Sequence, residues 1–248
     1  IDDKICQLMS EGKEIYNLNK ENLLSAKPDL IISQNICEVC SAHTEHVNMA
    51  VEMLEKKPEV YTMDPHDVSE ILTSIKDISK IIGKEKEGNG LIDSLSKRLE
   101  FVKSKMFEKK PKVVAIEWVD PFFTSGHWIP EMIETAGGEN LISTEKMPSR
   151  KMKLEEIKEA NPDIIVMMPC GFDVKRTVYE YKKVLAENPE WNELNAVKEK
   201  NVYAVDANSY FSKPSLRTIT GIEVLASIFH PDVFGDLQLP EDSFMKIN

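Results

Sequence analysis

The sequence predicts an α/β protein with two Rossmann-like α/β lobes and parallel-rich sheets, joined by one long helix. Three observations predict it. Short apolar runs, LIIS at 30–33 and DIIVMM at 163–168, have the form of buried parallel strands. The phrase LLSAKPDLIIS returns as KLEEIKEANPDIIVMM, a helix, a Pro-Asp turn and a strand in each case, so two lobes of similar build are expected. Between residues 68 and 106, apolar residues recur at helical spacing for far longer than one ordinary helix needs.

In chain order, Asn19 caps a short helix that Pro28 ends. A strand follows at Leu30–Ile32, then a helix over about 41–56 with Val47, Ala50, Val51 and Leu54 on one face. Val60-Tyr61 before Asp64-Pro65 is the next strand, and strand–helix–strand predicts a parallel crossover. Val68, Ile71, Leu72, Ile75, Ile78 and Ile81 predict a helix up to Gly83. Leu91, Leu95, Leu99, Val102 and Met106 predict another over 84–107, about 36 Å long at ~1.5 Å per residue. Gly88 and Gly90 weaken its first turns by roughly 1 kcal/mol each. A helix of that length spans a domain face, which divides the chain into an N-terminal lobe (1–83), a connecting helix (84–110) and a C-terminal lobe (111–248). In that last lobe KVVAIEW and VYAVD are strands, and Trp128–Ala136 is a helix closed by Gly137-Gly138. Leu216–Phe229 is the final helix and 236–248 a polar tail.

The bulk numbers exclude several classes. With 248 residues and 42% apolar content the chain can bury a core without staples. No apolar run approaches the roughly 20 residues of a membrane helix, so insertion into a membrane is not expected. The formal charge of −11 disfavours a nucleic-acid partner and favours a small ligand or a basic protein surface. Four cysteines are too few and too unevenly spaced for a disulfide scaffold.

No nucleophile elbow, Walker loop, GxGxxG after a strand or HExxH occurs, so the expected role is binding, with no cofactor of its own, rather than catalysis. The competing feature is CEVCSAHTEH, where Cys37, Cys40, His43 and His46 recur at steps of three with ligand types that zinc accepts. On a helix each step of three turns about 60°, so all four cannot meet one ion, although Cys37, Cys40 and His43 remain an alternative metal set. A metal-binding protein or metal-dependent enzyme built on this segment is therefore the alternative class.

Aromatic residues collect where strands end. Trp118 closes a strand, and Phe122, Phe123, His127 and Trp128 follow it. MMPCGFD brings Phe172 and VDANSYFSKPS brings Tyr210 and Phe211 after two other strands. In open α/β sheets ligands bind beyond the carboxyl ends of the strands. Any one of these aromatics can instead serve as core, but the cluster predicts a wall for a large, partly flat ligand. His127, between two aromatics, is the residue expected to touch that ligand and approach its metal, with His43 as competitor.

The phrases DPFFTSGHWIPEMIETAGGENLI, KLEEIKEANPDIIVMMPCGFD, VDANSYFSKPSLR and PDLIISQNICEVC resemble the substrate-binding proteins of cobalamin and iron-siderophore ABC importers, most of all the cobalamin branch. The resemblance runs through nearly all of residues 1–235. It implies two lobes on a spine helix with a ligand cleft between them, little hinge motion, and delivery of ligand to an ABC permease without catalysis. It implies a corrinoid ligand, with a ferric siderophore or haem as the alternative. Tyr210 matches a cleft aromatic, and Gln34 stands where some members carry an aromatic on the other lobe. Arg150 and, from the N-terminal lobe, Cys37 and Glu38 complete the expected ligand-binding set. Acidic residues near loop ends, Glu38 and Glu45 in one lobe and Asp173 in the other, are expected to meet basic permease loops. Members open with a strand that precedes the phrase matched at residue 1, so the N-terminal lobe is expected to be truncated. A monomer at the periplasmic or cell-surface side is expected on this reading, and a cytoplasmic relative is the alternative.

Overall fold

A computed structural model of the chain describes Gln7, Glu11, residues 17–36 and residues 44–247. These group into two compact units, Ile1–Asp64 and Pro65–Asn248.

In the smaller unit the described elements are α1 (Lys20–Ala26), β1 (Leu30–Gln34), α2 (Thr44–Met53) and β2 (Glu59–Met63). Asn19 caps α1 by accepting a hydrogen bond from the Asn22 amide at 2.9 Å. The helix stops because Lys27 takes a left-handed conformation (φ 45°) and Pro28 cannot continue it. β1 and β2 pair in parallel from Leu30↔Glu59 to Gln34↔Met63, as the crossover requires.

In the larger unit, α3 (Val68–Ile81) and α4 (Glu85–Lys103) pack on one another. Gly88 belongs to that contact, because a Cβ there would collide with the Ser79 side chain. The helix expected over 84–107 ends at Lys103. The strands β3 (Lys112–Val119), β4 (Phe122–Thr124), β5 (Glu139–Asn140), β6 (Ile164–Met167), β7 (Val202–Val205) and β8 (Phe244–Ile247) form one sheet. Its order is β4-β3-β6-β7-β8, with β5 also on β3. β3, β6 and β7 run parallel in the centre, while β4 and β8 are antiparallel edges. The expected polar tail is thus corrected in part: Phe244–Ile247 pairs with β7, and Ile247 is buried.

The covering helices are α5 (Ile129–Thr135), α6 (Leu154–Ala160), α7 (Val174–Val184), α8 (Pro189–Asn192), α9 (Asn195–Lys198), α10 (Ala207–Tyr210), α11 (Thr218–Phe229) and α12 (Pro231–Phe234). α6 repeats the ending of α1, with Asn161 left-handed (φ 45°) before Pro162 and Asp163. α11 is buried on nearly every side and packs against α4 and α5, as an all-apolar helix must. Its one buried carboxylate, Glu223, is met by Arg98 of α4, whose Nε donates at 2.9 Å while Nη2 reaches the second oxygen. On another part of the core, Trp191 is fully buried, stacks on Phe122 and donates its indole N–H to the Tyr181 hydroxyl at 3.1 Å.

Truncating Trp191 therefore removes the largest fully buried side chain. Trp191→Ala is expected to cost about 3–5 kcal/mol, read as a lower urea midpoint at unchanged slope. A loss below about 1 kcal/mol would place that ring outside the stabilising core.

Candidate functional site

Because β3, β6 and β7 are parallel, their carboxyl ends lie on one edge of the sheet. Three loops leave that edge, and the backbone ties them together. The Cys170 amide donates to the Glu117 carbonyl (3.1 Å) and the Asn208 amide to the Phe172 carbonyl (3.0 Å). The Gly171 amide donates to the Ser212 hydroxyl (2.9 Å). Gly171 has φ 77°, a conformation in which a side chain would be strained.

On this framework Trp118 and Phe172 face each other with ring centroids 5.4 Å apart, and both are half-buried. The Arg176 guanidinium lies 4.5 Å from the Phe172 centroid. Asp173 caps α7 by accepting from the Arg176 amide, which fixes the helix that carries this cation. Tyr210, half-buried, ends α10. Burial raises its phenol above the usual range, the Asp206 carboxylate adds to that rise, and Arg217 opposes it. At neutral pH Tyr210 is thus a neutral O–H group.

The structure divides the expected aromatic wall. Trp118, Phe123, Phe172 and Tyr210 are half-buried at or near the edge. Trp128 (4% exposed) and Phe211 (3% exposed) are core residues, and the Trp128 indole N–H donates to the Phe211 carbonyl at 3.2 Å. Phe122 turns onto the core against Trp191. For these three the expected wall is corrected to packing, because each meets a ring or carbonyl of the interior. Arg150 is exposed and paired with Glu156 at 2.8 Å. Cys37, Glu38, Cys40 and His43 lie outside the described residues, as does the side chain of Glu45. Among the described residues no group of three or more His, Cys, Asp or Glu side chains is placed to hold a metal ion. No described helix is long and apolar enough to cross a membrane.

His127 belongs to a second, polar recess of about 190 Å³, lined by His66, Asp67, His127, Glu131, Glu145 and Lys146. Its backbone is left-handed (φ 53°), as is that of Lys146 (φ 61°). Each holds the other's loop: the His127 amide donates to the Met147 carbonyl (2.7 Å) and the Lys146 amide to the His127 carbonyl (3.1 Å). Gly126 is required there, since a Cβ would collide with the backbone of 147–149. The His66 and His127 rings stack at 6.1 Å. Glu131 accepts from the Val68 amide (2.8 Å) and Asp67 from the Glu70 amide (2.7 Å), so both carboxylates serve the start of α3. Sequence reasoning overlooked His66 and Asp67. The signal was DPHD before an apolar helical run, an N-cap pattern with a histidine inside it.

Burial pushes the Asp67 carboxyl up, but hydrogen bonds from the Lys146 ammonium (2.7 Å) and from the backbone outweigh it, and the group stays below the usual range. A depressed carboxylate stabilises the fold above its unfolded value and ceases to do so as pH falls through its folded value. Asp67→Ala is expected to cost about 1 kcal/mol at neutral pH. The gap from the parent should close on acidification below the carboxylate range. A gap that stays constant with pH in denaturant titrations would mean that Asp67 acts through packing alone.

Residues 11–209 match the family described as periplasmic binding protein. An uncharacterised ABC transporter substrate-binding lipoprotein, YvrC of Bacillus subtilis, is 29% identical over 231 residues, covering 88% of this chain and 67% of that protein. The high-affinity heme uptake system protein IsdE of Staphylococcus aureus is 24% identical over 220 residues, covering 86% and 72%. Among solved structures, an ABC transporter substrate-binding protein from Listeria monocytogenes superposes with a TM-score of 0.72 at 23% identity, over 86% of this chain and 80% of that one. S. aureus IsdE complexed with heme gives 0.71 at 20% identity, over 86% and 81%. At these identities the structures speak for the fold.

Proposed function

The chain belongs to the periplasmic binding protein family, and from that premise we propose that it captures a flat metal chelate at the carboxyl edge of its larger unit and delivers it to an ABC import permease. The observation that carries this reading is the Trp118–Phe172–Arg176 stack, with Tyr210 on the neighbouring loop. Half-buried rings offer flat apolar area to a macrocycle. A guanidinium on the same stack offers a charge-assisted bond to an anionic side group.

That second feature ranks the ligands. A haem carries two carboxylates on its rim, whereas the side groups of a corrinoid are largely amides. Arg176, with Arg217 near enough to act on Tyr210, therefore supports haem or a carboxylate-bearing siderophore first. The haem-uptake relative supports the same order. The corrinoid remains the second reading, supported by the four ordered phrases at 28–40, 120–142, 153–173 and 205–217. Neither ligand asks for catalysis by this chain. Residues Glu38, Glu45 and Asp173 are proposed to contribute acidic contacts to the permease.

The test is a visible titration of the purified protein with haemin and, separately, with cyanocobalamin. Haemin is expected to give saturable bands distinct from the free form. Arg176→Ala is expected to weaken it roughly tenfold at an unchanged thermal midpoint. Tyr210→Ala is expected to weaken either ligand by a similar factor. Saturation by cyanocobalamin alone would establish the second reading, and no saturable change with either would overturn both macrocycle readings, haem and corrinoid.

His127 is proposed as a ligand contact rather than the axial ligand. The bands of the bound chelate should therefore survive His127→Ala. Their loss in that variant would make His127 the axial ligand.

A further inference from the structure

The amino edge of the larger sheet, opposite the carboxyl edge, carries a feature that ligand capture leaves unused. The segment FVKSKMFEKKPK (101–112) runs from the end of α4 into β3 with five lysines against one glutamate. Met106 at its centre is 97% exposed, and Phe101 is 46% exposed.

The loop is held, not frayed. Phe107 stacks on His230 with centroids 3.7 Å apart, and His230 bonds to the Gly137 carbonyl at 3.0 Å. The Lys105 amide donates to the Val102 carbonyl at 3.2 Å. With Phe107 anchored inward, its neighbour Met106 is forced outward. Lys105 arches over the Phe101 ring at 4.6 Å. Lys110 is paired with Glu134 at 3.2 Å, while Lys103, Lys109 and Lys112 are exposed. Cations at a helix C-terminus complement the macrodipole, which accounts for Lys103. It accounts neither for the lysines beyond the helix nor for a methionine in open solvent.

We propose that this tip is a peripheral contact for an anionic lipid bilayer, with Met106 and Phe101 entering the headgroup layer and the lysines lying on its charge. Charge complementarity selects the occupant. An apolar tip flanked by a cluster of lysines is the composition that an anionic lipid surface attracts. The net charge of −11 does not forbid this. At physiological salt charges are screened beyond about 8 Å, so the surface meets the local cations. Each lysine near such a surface strengthens binding roughly fivefold.

The experiment is co-sedimentation of the whole chain with phosphatidylglycerol–phosphatidylcholine vesicles and with pure phosphatidylcholine vesicles. Binding is expected to the first at physiological salt, where the rest of the chain is screened, absent from the second, and lost on adding further salt. Replacing Lys103, Lys105 and Lys109 together by Gln is expected to weaken it roughly tenfold or more. Met106→Ser is expected to weaken it roughly tenfold. Lys103, Met106 and Lys109 are exposed and Lys105 is half-buried over the Phe101 ring, with none of them in the core, so circular dichroism and haemin titration should match the parent. No sedimentation with anionic vesicles at physiological salt overturns the proposal. Binding that neither substitution reduces overturns it too, since the contact then lies elsewhere. Retention of an acidic protein without vesicle binding would assign the tip to a protein partner instead.

Discussion

Everything at the carboxyl edge depends on the parallel pairing of β3, β6 and β7. Parallel neighbours cannot be joined by a hairpin, so each connection must cross a face of the sheet and return. Two consequences follow. The crossing helices bury both faces, which is why Ile164–Met167 is apolar at every position. All three strands also deliver their carboxyl ends to one edge, so loops distant in sequence meet. The amide of Asn208 reaches Phe172, and that of Gly171 reaches Ser212, because the strands before them end side by side.

That constraint separates the aromatics that pack from those that face outward. Trp128 and Phe211 come from different loops, yet the indole N–H of one meets the carbonyl of the other in the interior. A buried indole N–H needs such a partner, and the pairing fixes both loops from beneath. Trp118 and Phe172 sit above that layer, half-buried. An aromatic-rich loop therefore divides its rings. Some rings hold the loops to the sheet, and the remaining rings, Trp118 and Phe172, are left half-buried against each other.

Much of this was legible in the sequence because it depends on local patterns. The Pro-Asp turns after Lys27 and Asn161, the apolar strands and the helical spacing over 68–81 each have a short-range cause. Elements whose cause is long-range were not legible. β4 and β8 are edge strands of three and four residues, and only the neighbouring strand makes them strands. The early end of α4 has a similar origin, since Phe107 leaves the helical path to stack on His230. Within the site, spacing identified the loops but not the direction of each ring. Phe122 and Phe123 are adjacent and alternate across a strand, so one meets Trp191 and the other pairs opposite Trp118. His66 and His127 stack across a separation of 61 residues that no local pattern records.

Net charge and local charge answer different questions here. A long polyanion samples the whole surface, and a chain at −11 repels it. A small chelate or a membrane headgroup samples only the charges within about a Debye length, near 8 Å at physiological salt. At that range the chain is not uniformly acidic. Arg176 lies over Phe172 at one edge of the sheet, and the lysines of 103–112 surround Met106 at the other. Many carboxylates are already engaged: Glu223 by Arg98, Glu156 by Arg150, Asp67 by Lys146 and the start of α3. A chain that repels a long polyanion as a whole can therefore still present positive charge at short range, as at Arg176 and along 103–112.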